Sequence, residues 1–120
     1  MATPAEAPAA EQGTLGRAAV EHATRLYFAD TPELIEIARC ESRFRQYDAD
    51  GNILRGEKNS RDIGVMQINE FYHLESAMKL GFDLYSLAGN MGYARYLYEK
   101  KGSQPWVSSK PCWGKRVASL

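Results

Sequence analysis

The sequence lacks the features that mark three common classes of protein. No run of apolar residues approaches the roughly 18 that a membrane-spanning helix needs, so we expect no transmembrane segment. The 15 basic residues balance the 15 acidic ones, whereas a dedicated nucleic-acid-binding protein carries a basic excess, so we expect no nucleic-acid partner. The two cysteines stand in no CxxC motif and in no cysteine–histidine cluster, so the sequence predicts no metal site and no cofactor.

We also expect no cleavable export signal, because the N-terminus has neither a basic segment nor an apolar stretch. Residues 1–14 are rich in Ala, Pro and Glu, which predicts a disordered tail or linker. The rest is long enough for one domain, which we place at residues 15–113, followed by a short C-terminal tail at 114–120. Between Lys100 and Arg116 there are five basic residues and no acidic one. This end is either a solvated basic surface or a patch that meets an anionic polymer.

Apolar residues at helical spacing predict a mostly helical domain. The predicted helices cover residues 15–28, 31–44, 71–80 and 83–101. In the second of them, Thr31 is suited to be the N-cap and Pro32 to be the first helical residue.

The predicted β-structure lies in the middle of the chain. Asp50-Gly51 is a strong hairpin signal, so we expect a small antiparallel β-element at residues 46–63. The segment 103–113 contains two prolines and is predicted to be irregular. Helices around one hairpin define an α+β fold that is predominantly α.

The helix predicted over residues 31–44 carries a glutamate where its pattern calls for an apolar residue. Leu34, Ile37 and Phe44 belong to the apolar stripe, and Glu41 lies on the same stripe. A carboxyl group on an apolar face is desolvated, which raises its pKa and makes it a proton donor near neutral pH. The alternative is a glutamate at the helix edge that pairs with a neighbouring arginine.

A second carboxylate, Asp62, stands at the end of the predicted β-element. A hairpin directly after a helix can fold back across it, which would place Asp62 opposite Glu41 over a groove. Two carboxyl groups whose surroundings push their pKa values apart are the signature of glycosidic bond cleavage. The alternative is an ordinary turn carboxylate that caps a backbone amide.

The two cysteines leave two possibilities open. A disulfide between Cys40 and Cys112 would close a large loop, which the loop-entropy model values at about 4 kcal/mol, and it would imply an oxidising compartment. The other possibility is a pair of buried free thiols. Spacing alone does not decide between them.

Three stretches of the sequence resemble families that cleave peptidoglycan. Residues 60–69, SRDIGVMQIN, resemble the strand and loop of the c-type lysozymes that carry the second catalytic carboxylate. Glu41-Ser42 followed by GVMQ at 64–67 resembles the motifs of the soluble lytic transglycosylase family, and residues 90–98 resemble its later helix, which lines the groove. The resemblance covers residues 31–113.

This resemblance implies a lysozyme-like fold with the small antiparallel β-hairpin beside the catalytic helix. It also implies cleavage of the β-1,4 bond between N-acetylmuramic acid and N-acetylglucosamine. Glu41 would be the general acid that protonates the glycosidic oxygen, and Asp62 would stabilise or trap the oxocarbenium-like carbon. Substrate-binding roles are implied for Ser60, Gln67, Asn69, Tyr72, Tyr93 and Trp106. For the tryptophans, Trp106 and Trp113, core packing is the alternative role.

The expected substrate also implies a setting for the protein. It would act as a monomer on peptidoglycan glycan strands, in an extracellular or periplasmic location. In such a compartment, a disulfide between Cys40 and Cys112 is favoured over free thiols. Since Cys40 is next to Glu41 in the sequence, that bridge would pin the C-terminal segment to the catalytic helix.

Three other functions stay open at this point. A lytic transglycosylase would use the same acid and form a 1,6-anhydro ring, but that family does not usually place an aspartate before its Ile-Gly pair, so Asp62 favours hydrolysis. A glycan-binding module would keep the groove without turnover. A cysteine hydrolase would pair Cys40 with His73 or His22, and a disulfide would remove its nucleophile.

Overall fold

Helices make up most of the structure. The computed structural model describes residues 15–120, and the tail predicted at 1–14 lies outside them. In the described range the chain forms five α-helices, one 3₁₀-helix and one two-stranded antiparallel sheet, which confirms the predominantly helical α+β class. The elements in chain order are α1 (Arg17–Tyr27), α2 (Pro32–Ser42), β1 (Asp62–Ile63), β2 (Ile68–Asn69), α3 (Glu70–Lys79), α4 (Leu87–Lys101), the 3₁₀-helix (Gln104–Ser109) and α5 (Lys110–Ala118).

The helix α2 begins as predicted and ends earlier than predicted. It starts at Pro32 with Thr31 as its N-cap residue, although the Thr31 side chain makes no hydrogen bond to the first turn. It ends before residue 44, because Arg43 and Phe44 take left-handed backbone conformations with φ of 55° and 59°. Phe44 is nevertheless buried, so it reaches the core from the turn after the helix.

The helices α3 and α4 both begin at side-chain caps. Asn69 Oδ1 accepts a hydrogen bond from the backbone N–H of Tyr72 (3.1 Å). Ser86 Oγ accepts from the N–H of Gly89 (3.0 Å), so α4 begins after Ser86 and not at residue 83 as predicted.

The hairpin lies later in the chain than predicted. Most of residues 46–63 form a loop that contains two isolated bridges, Tyr47–Ile53 and Arg55–Ile63. The two-stranded hairpin pairs β1 with β2 and sets Asp62 opposite Asn69. The predicted extent is wrong because residues 57–61 are polar and exposed, so they offer no apolar face for a strand to bury.

The C-terminal segment is helical, so the irregular structure predicted for 103–113 is also wrong. Pro105 and Pro111 lie in the first turns of the 3₁₀-helix and of α5, where a missing N–H costs no hydrogen bond. The helix α5 continues to Ala118, across the domain boundary expected at residue 113. Within residues 15–120, none of the helices has both the length and the apolar character needed to cross a bilayer.

A disulfide joins α2 to α5. Cys40 and Cys112 are bonded, with their Cα atoms 6.0 Å apart, which confirms the predicted pairing. The bridge closes a loop over 72 positions of sequence, for which the loop-entropy model gives about 4 kcal/mol of stabilisation. It fixes the C-terminal helix against the helix that carries Glu41.

Two buried side-chain amides hold the turn between β1 and β2. Gln46 Oε1 accepts from the N–H of Val65 (2.8 Å), and Asn90 Oδ1 accepts from the N–H of Met66 (2.9 Å). The Asn90 amide nitrogen donates in turn to the carbonyl oxygen of Ile63 (3.0 Å). Both amide side chains are fully buried, so they satisfy backbone groups that water cannot reach.

Gly64→Ala should destabilise the protein strongly. Gly64 has a φ of +74°, and a Cβ there would clash with the Asn90 amide and lie 2.8 Å from Gln46 Oε1. Backbone strain and the disturbed amide contacts together should lower the free energy of unfolding by about 3 kcal/mol. Urea denaturation of the oxidised protein measures this change.

Gly81→Ala is the matched control. Gly81 has a φ of +83° but nothing within 4 Å of its Cβ position. Gly81→Ala should therefore lower the free energy of unfolding by only about 1 kcal/mol, which is the cost of a left-handed backbone conformation for alanine. Equal losses for the two variants would show that the buried amides do not hold the turn.

Candidate active site

Glu41 lies in the last turn of α2 and is half-buried. Ser109 Oγ donates a hydrogen bond to Glu41 Oε2 (2.6 Å). The alternative of an edge glutamate paired with an arginine is not what the structure shows, because Arg39 pairs with Glu36 (2.9 Å). Within the described range, no basic side chain forms an ion pair with Glu41.

The surroundings of Glu41 favour its protonated form. Burial raises the pKa of this carboxyl, and the negative charge of Asp62 raises it further. The hydrogen bond from Ser109 acts in the opposite direction, but burial outweighs it. Glu41 therefore keeps its proton to a higher pH than an ordinary glutamate does.

Ser109 is placed to serve both protonation states of Glu41. Its hydroxyl has one proton and two acceptors within reach, Glu41 Oε2 and the carbonyl oxygen of Trp106 (3.1 Å). When Glu41 is protonated, its O–H can donate to Ser109 Oγ while the Ser109 proton turns to the Trp106 carbonyl. Trp113 Nε1 donates to Ser109 Oγ (3.0 Å) and fixes its position.

Asp62 is held by its partner across the hairpin. Asn69 Nδ2 donates to Asp62 Oδ1 (3.0 Å). The side-chain amide oxygen of the same residue, Asn69 Oδ1, caps α3. One side chain thus links the second carboxylate to the start of the next helix. Asp62 takes part in none of the ion pairs in the described range, so no basic side chain there neutralises its charge.

The two carboxyl groups share one cavity of about 100 Å³. Its lining comes from α2, the hairpin, α3, α4 and the 3₁₀-helix. The lining residues are Glu41, Asp62, Gln67, Ile68, Asn69, His73, Leu97, Pro105, Trp106 and Ser108. The structure therefore brings together five of the residues expected at the site, namely Glu41, Asp62, Gln67, Asn69 and Trp106.

Three expected substrate-binding residues do not line this cavity. Ser60 is exposed in the polar loop. Tyr72 is 74% exposed and borders a separate open depression of about 450 Å³. Tyr93 is 1% exposed, and its hydroxyl lies 2.9 Å from His73 Nδ1, so it sits behind a lining residue.

Both tryptophans are packed into the core. Trp106 is 2% exposed and its Nε1 donates to the carbonyl oxygen of Met66 (2.9 Å), and Trp113 is 3% exposed. Trp106 thus contributes a small part of its surface to the cavity and cannot present a free stacking face.

Two residues at this site were not predicted from the sequence as part of a glycan site: His73, which was considered only as a partner of Cys40, and Ser109. His73 had a signal, because it lies in the first turn of the helix predicted at 71–80, directly after the stretch 60–69 that carries Asp62 and Asn69. Ser109 had none, since only the folding of the 3₁₀-helix brings it to Glu41.

The hypothesis of a cysteine hydrolase is excluded, because the thiol of Cys40 is bonded in the disulfide and is not a free nucleophile. Among the described residues, no group of three or more His, Cys, Asp or Glu side chains could hold a metal ion.

Comparisons with known protein families, curated proteins and solved structures found no match to this chain. Its function is therefore inferred from the cavity itself.

Glu41→Gln should stabilise the protein at neutral pH. Because the folded-state pKa of Glu41 is raised, ionising this group costs stability as the pH rises through that value. The variant avoids this cost, so its free energy of unfolding at pH 7 should exceed that of the wild type. The difference should vanish below about pH 4, where glutamate is protonated in both states.

Denaturant unfolding across this pH range measures the effect, with Glu57→Gln as the control. Glu57 is exposed in the polar loop, so its replacement should change stability by less than about 0.5 kcal/mol. A Glu41→Gln variant that is less stable than the wild type at pH 7 would contradict the assigned burial effect.

Proposed function

We propose that this protein is a peptidoglycan-cleaving glycosidase of the lysozyme-like superfamily. Its substrate is the β-1,4 bond between N-acetylmuramic acid and N-acetylglucosamine. The observation that carries this proposal is the pairing of Glu41, whose pKa burial raises, with Asp62 in one cavity. A carboxyl group with a raised pKa beside a second carboxyl group is the arrangement that most glycosidases use.

In the first step Glu41 acts as the general acid. It transfers its proton to the glycosidic oxygen as the bond to the anomeric carbon breaks. The leaving sugar departs as an alcohol, and positive charge develops on the remaining ring. Ser109 then donates to the Glu41 carboxylate that this transfer creates.

Asp62 faces the charge that develops in that step. Its carboxylate stabilises or traps the oxocarbenium-like carbon, and the hydrogen bond from Asn69 keeps it aimed into the cavity. Water then attacks the carbon, which releases the Asp62 carboxylate if it has bonded there, and Glu41 accepts a proton from the water. The product is a reducing N-acetylmuramic acid end.

The lysozyme-like fold is part of the same proposal. Its support is the order of the parts: a helix with the acid in its last turn, then a hairpin that carries the second carboxylate. The amides of Gln67 and Asn69 line the cavity and suit sugar hydroxyl or acetamido groups. The disulfide fits an extracellular or periplasmic location, where peptidoglycan is found.

Mass spectrometry of the fragments released from purified peptidoglycan tests this function. The wild type should release fragments that end in reducing N-acetylmuramic acid. Glu41→Gln should lower the rate of release by about 10²–10⁴, since it removes the general acid but keeps the acceptor for Ser109. Asp62→Asn should lower it less, because it removes a charge and no transferred proton.

Glu57→Gln is again the matched control and should release fragments at the wild-type rate. Fragments lighter by one water, with 1,6-anhydro ends, would make the protein a lytic transglycosylase in which the 6-hydroxyl of the sugar replaces water. If the wild type binds peptidoglycan and releases nothing, it is a glycan-binding module and the proposal is wrong.

A further inference from the structure

His73 is a cavity residue that the mechanism above does not use. It projects from α3, is half-buried, and lines the same cavity as Glu41 and Asp62. Its Nδ1 lies 2.9 Å from the hydroxyl oxygen of Tyr93, and the two rings pack 5.4 Å apart between centroids. One ring nitrogen therefore has a protein partner, and the other, Nε2, remains for the cavity.

The buried hydroxyl of Tyr93 decides which nitrogen of His73 carries the proton. Tyr93 is 1% exposed, and His73 Nδ1 is its hydrogen-bond partner in the described range. No buried side-chain polar atom there lacks a partner. If Nδ1 were protonated, the Tyr93 proton would have no acceptor, which is costly in the interior. Tyr93 therefore donates to Nδ1, and Nε2 carries the hydrogen of the neutral ring.

The surroundings of His73 favour the neutral form of its ring. Burial lowers the pKa of His73, and the positive charge of Lys101 at the end of α4 lowers it further. A neutral ring with a fixed Nε2–H is a directed hydrogen-bond donor. It stands in a cavity whose other two titratable groups, Glu41 and Asp62, are carboxyls.

We propose that His73 Nε2–H binds a carbonyl oxygen of the bound glycan, beside the bond that is cut. This inference rests on the proposed function. Two groups attached directly to the sugar rings carry such an oxygen: the acetamido group of either sugar, and the lactyl–peptide linkage of N-acetylmuramic acid. Tyr93 is a positioning residue in this scheme, because it fixes the tautomer of His73 without touching the sugar.

The tautomer is tested first, by ¹⁵N–¹H NMR of the histidine rings at pH 7.5. The sequence has two histidines, and His22 on α1 is exposed, so it serves as an internal reference. The spectrum should show His73 protonated at Nε2, and Tyr93→Phe should allow both tautomers. A His73 ring protonated at Nδ1 in the wild type would overturn the inference.

The donor role is tested by kinetics on peptidoglycan strands. His73→Ala should raise KM about tenfold, with kcat changed less, as expected for one lost hydrogen bond to substrate. His73→Gln should restore most of the affinity, because a glutamine amide can place an N–H near the position of Nε2. Tyr93→Phe should raise KM by a smaller factor, and His22→Ala should have no effect.

A comparison of two substrates identifies the carbonyl oxygen that His73 contacts. A defect of His73→Ala on chitooligosaccharides, which carry acetamido groups only, would assign the acetamido carbonyl. A defect confined to strands with peptide stems would assign the lactyl–peptide carbonyl. Wild-type KM for His73→Ala on every substrate that the wild type cleaves would overturn the inference while leaving the proposed function intact.

Binding tests the inference even if the wild type cleaves nothing. Chitotetraose and a muramyl-peptide disaccharide would each be titrated into the wild type while the His73 Nε2–H resonance is followed. A shift of that resonance with either ligand, absent for His22, supports the contact. No shift with either ligand, when both demonstrably bind, would overturn it.

Discussion

The buried amides of Gln46 and Asn90 hold the turn between β1 and β2, and the geometry of the cavity depends on that turn. The strand β1 leads directly into this turn, and its Asp62 pairs with Asn69 of β2. From the middle of the turn, the carbonyl oxygen of Met66 accepts the Trp106 indole N–H. The Trp106 segment leads to Ser109, which bonds to Glu41. One turn thus positions both carboxyl groups.

This arrangement places a carboxyl where it costs stability. Glu41 occupies a position on the apolar stripe of α2, and burial disfavours its charged form. The disulfide between α2 and α5 offsets such costs in a small domain, whose core alone gives a narrow margin of stability. It also keeps Ser109, the last residue before α5, and Trp113, in the first turns of α5, close to the helix that carries Glu41. Covalent bracing and the site therefore lie in the same part of the fold.

The sequence was most informative where one helix carried a simple pattern. The apolar stripe of α2 alone marked Glu41 as exceptional, and the structure places this residue at the edge of the core. The position of the hairpin was harder to predict, because an Asp-Gly turn signals a bend without saying which residues pair. The C-terminal helices were missed because their prolines read as breakers, whereas both stand in first turns. The Ser109 contact joins residues 68 positions apart, which no local pattern can reveal.

The role of Glu41 as a proton donor is tested most directly by titrating its side-chain carboxyl, monitored by ¹³C NMR in the folded protein. The pKa of Glu41 should lie above the ordinary value for glutamate. Asp62→Asn should lower that pKa because it removes a nearby negative charge, and Ser109→Ala should raise it because it removes a donor to the carboxylate. A pKa at or below the ordinary value would mean that Glu41 is ionised at neutral pH and cannot serve as the general acid.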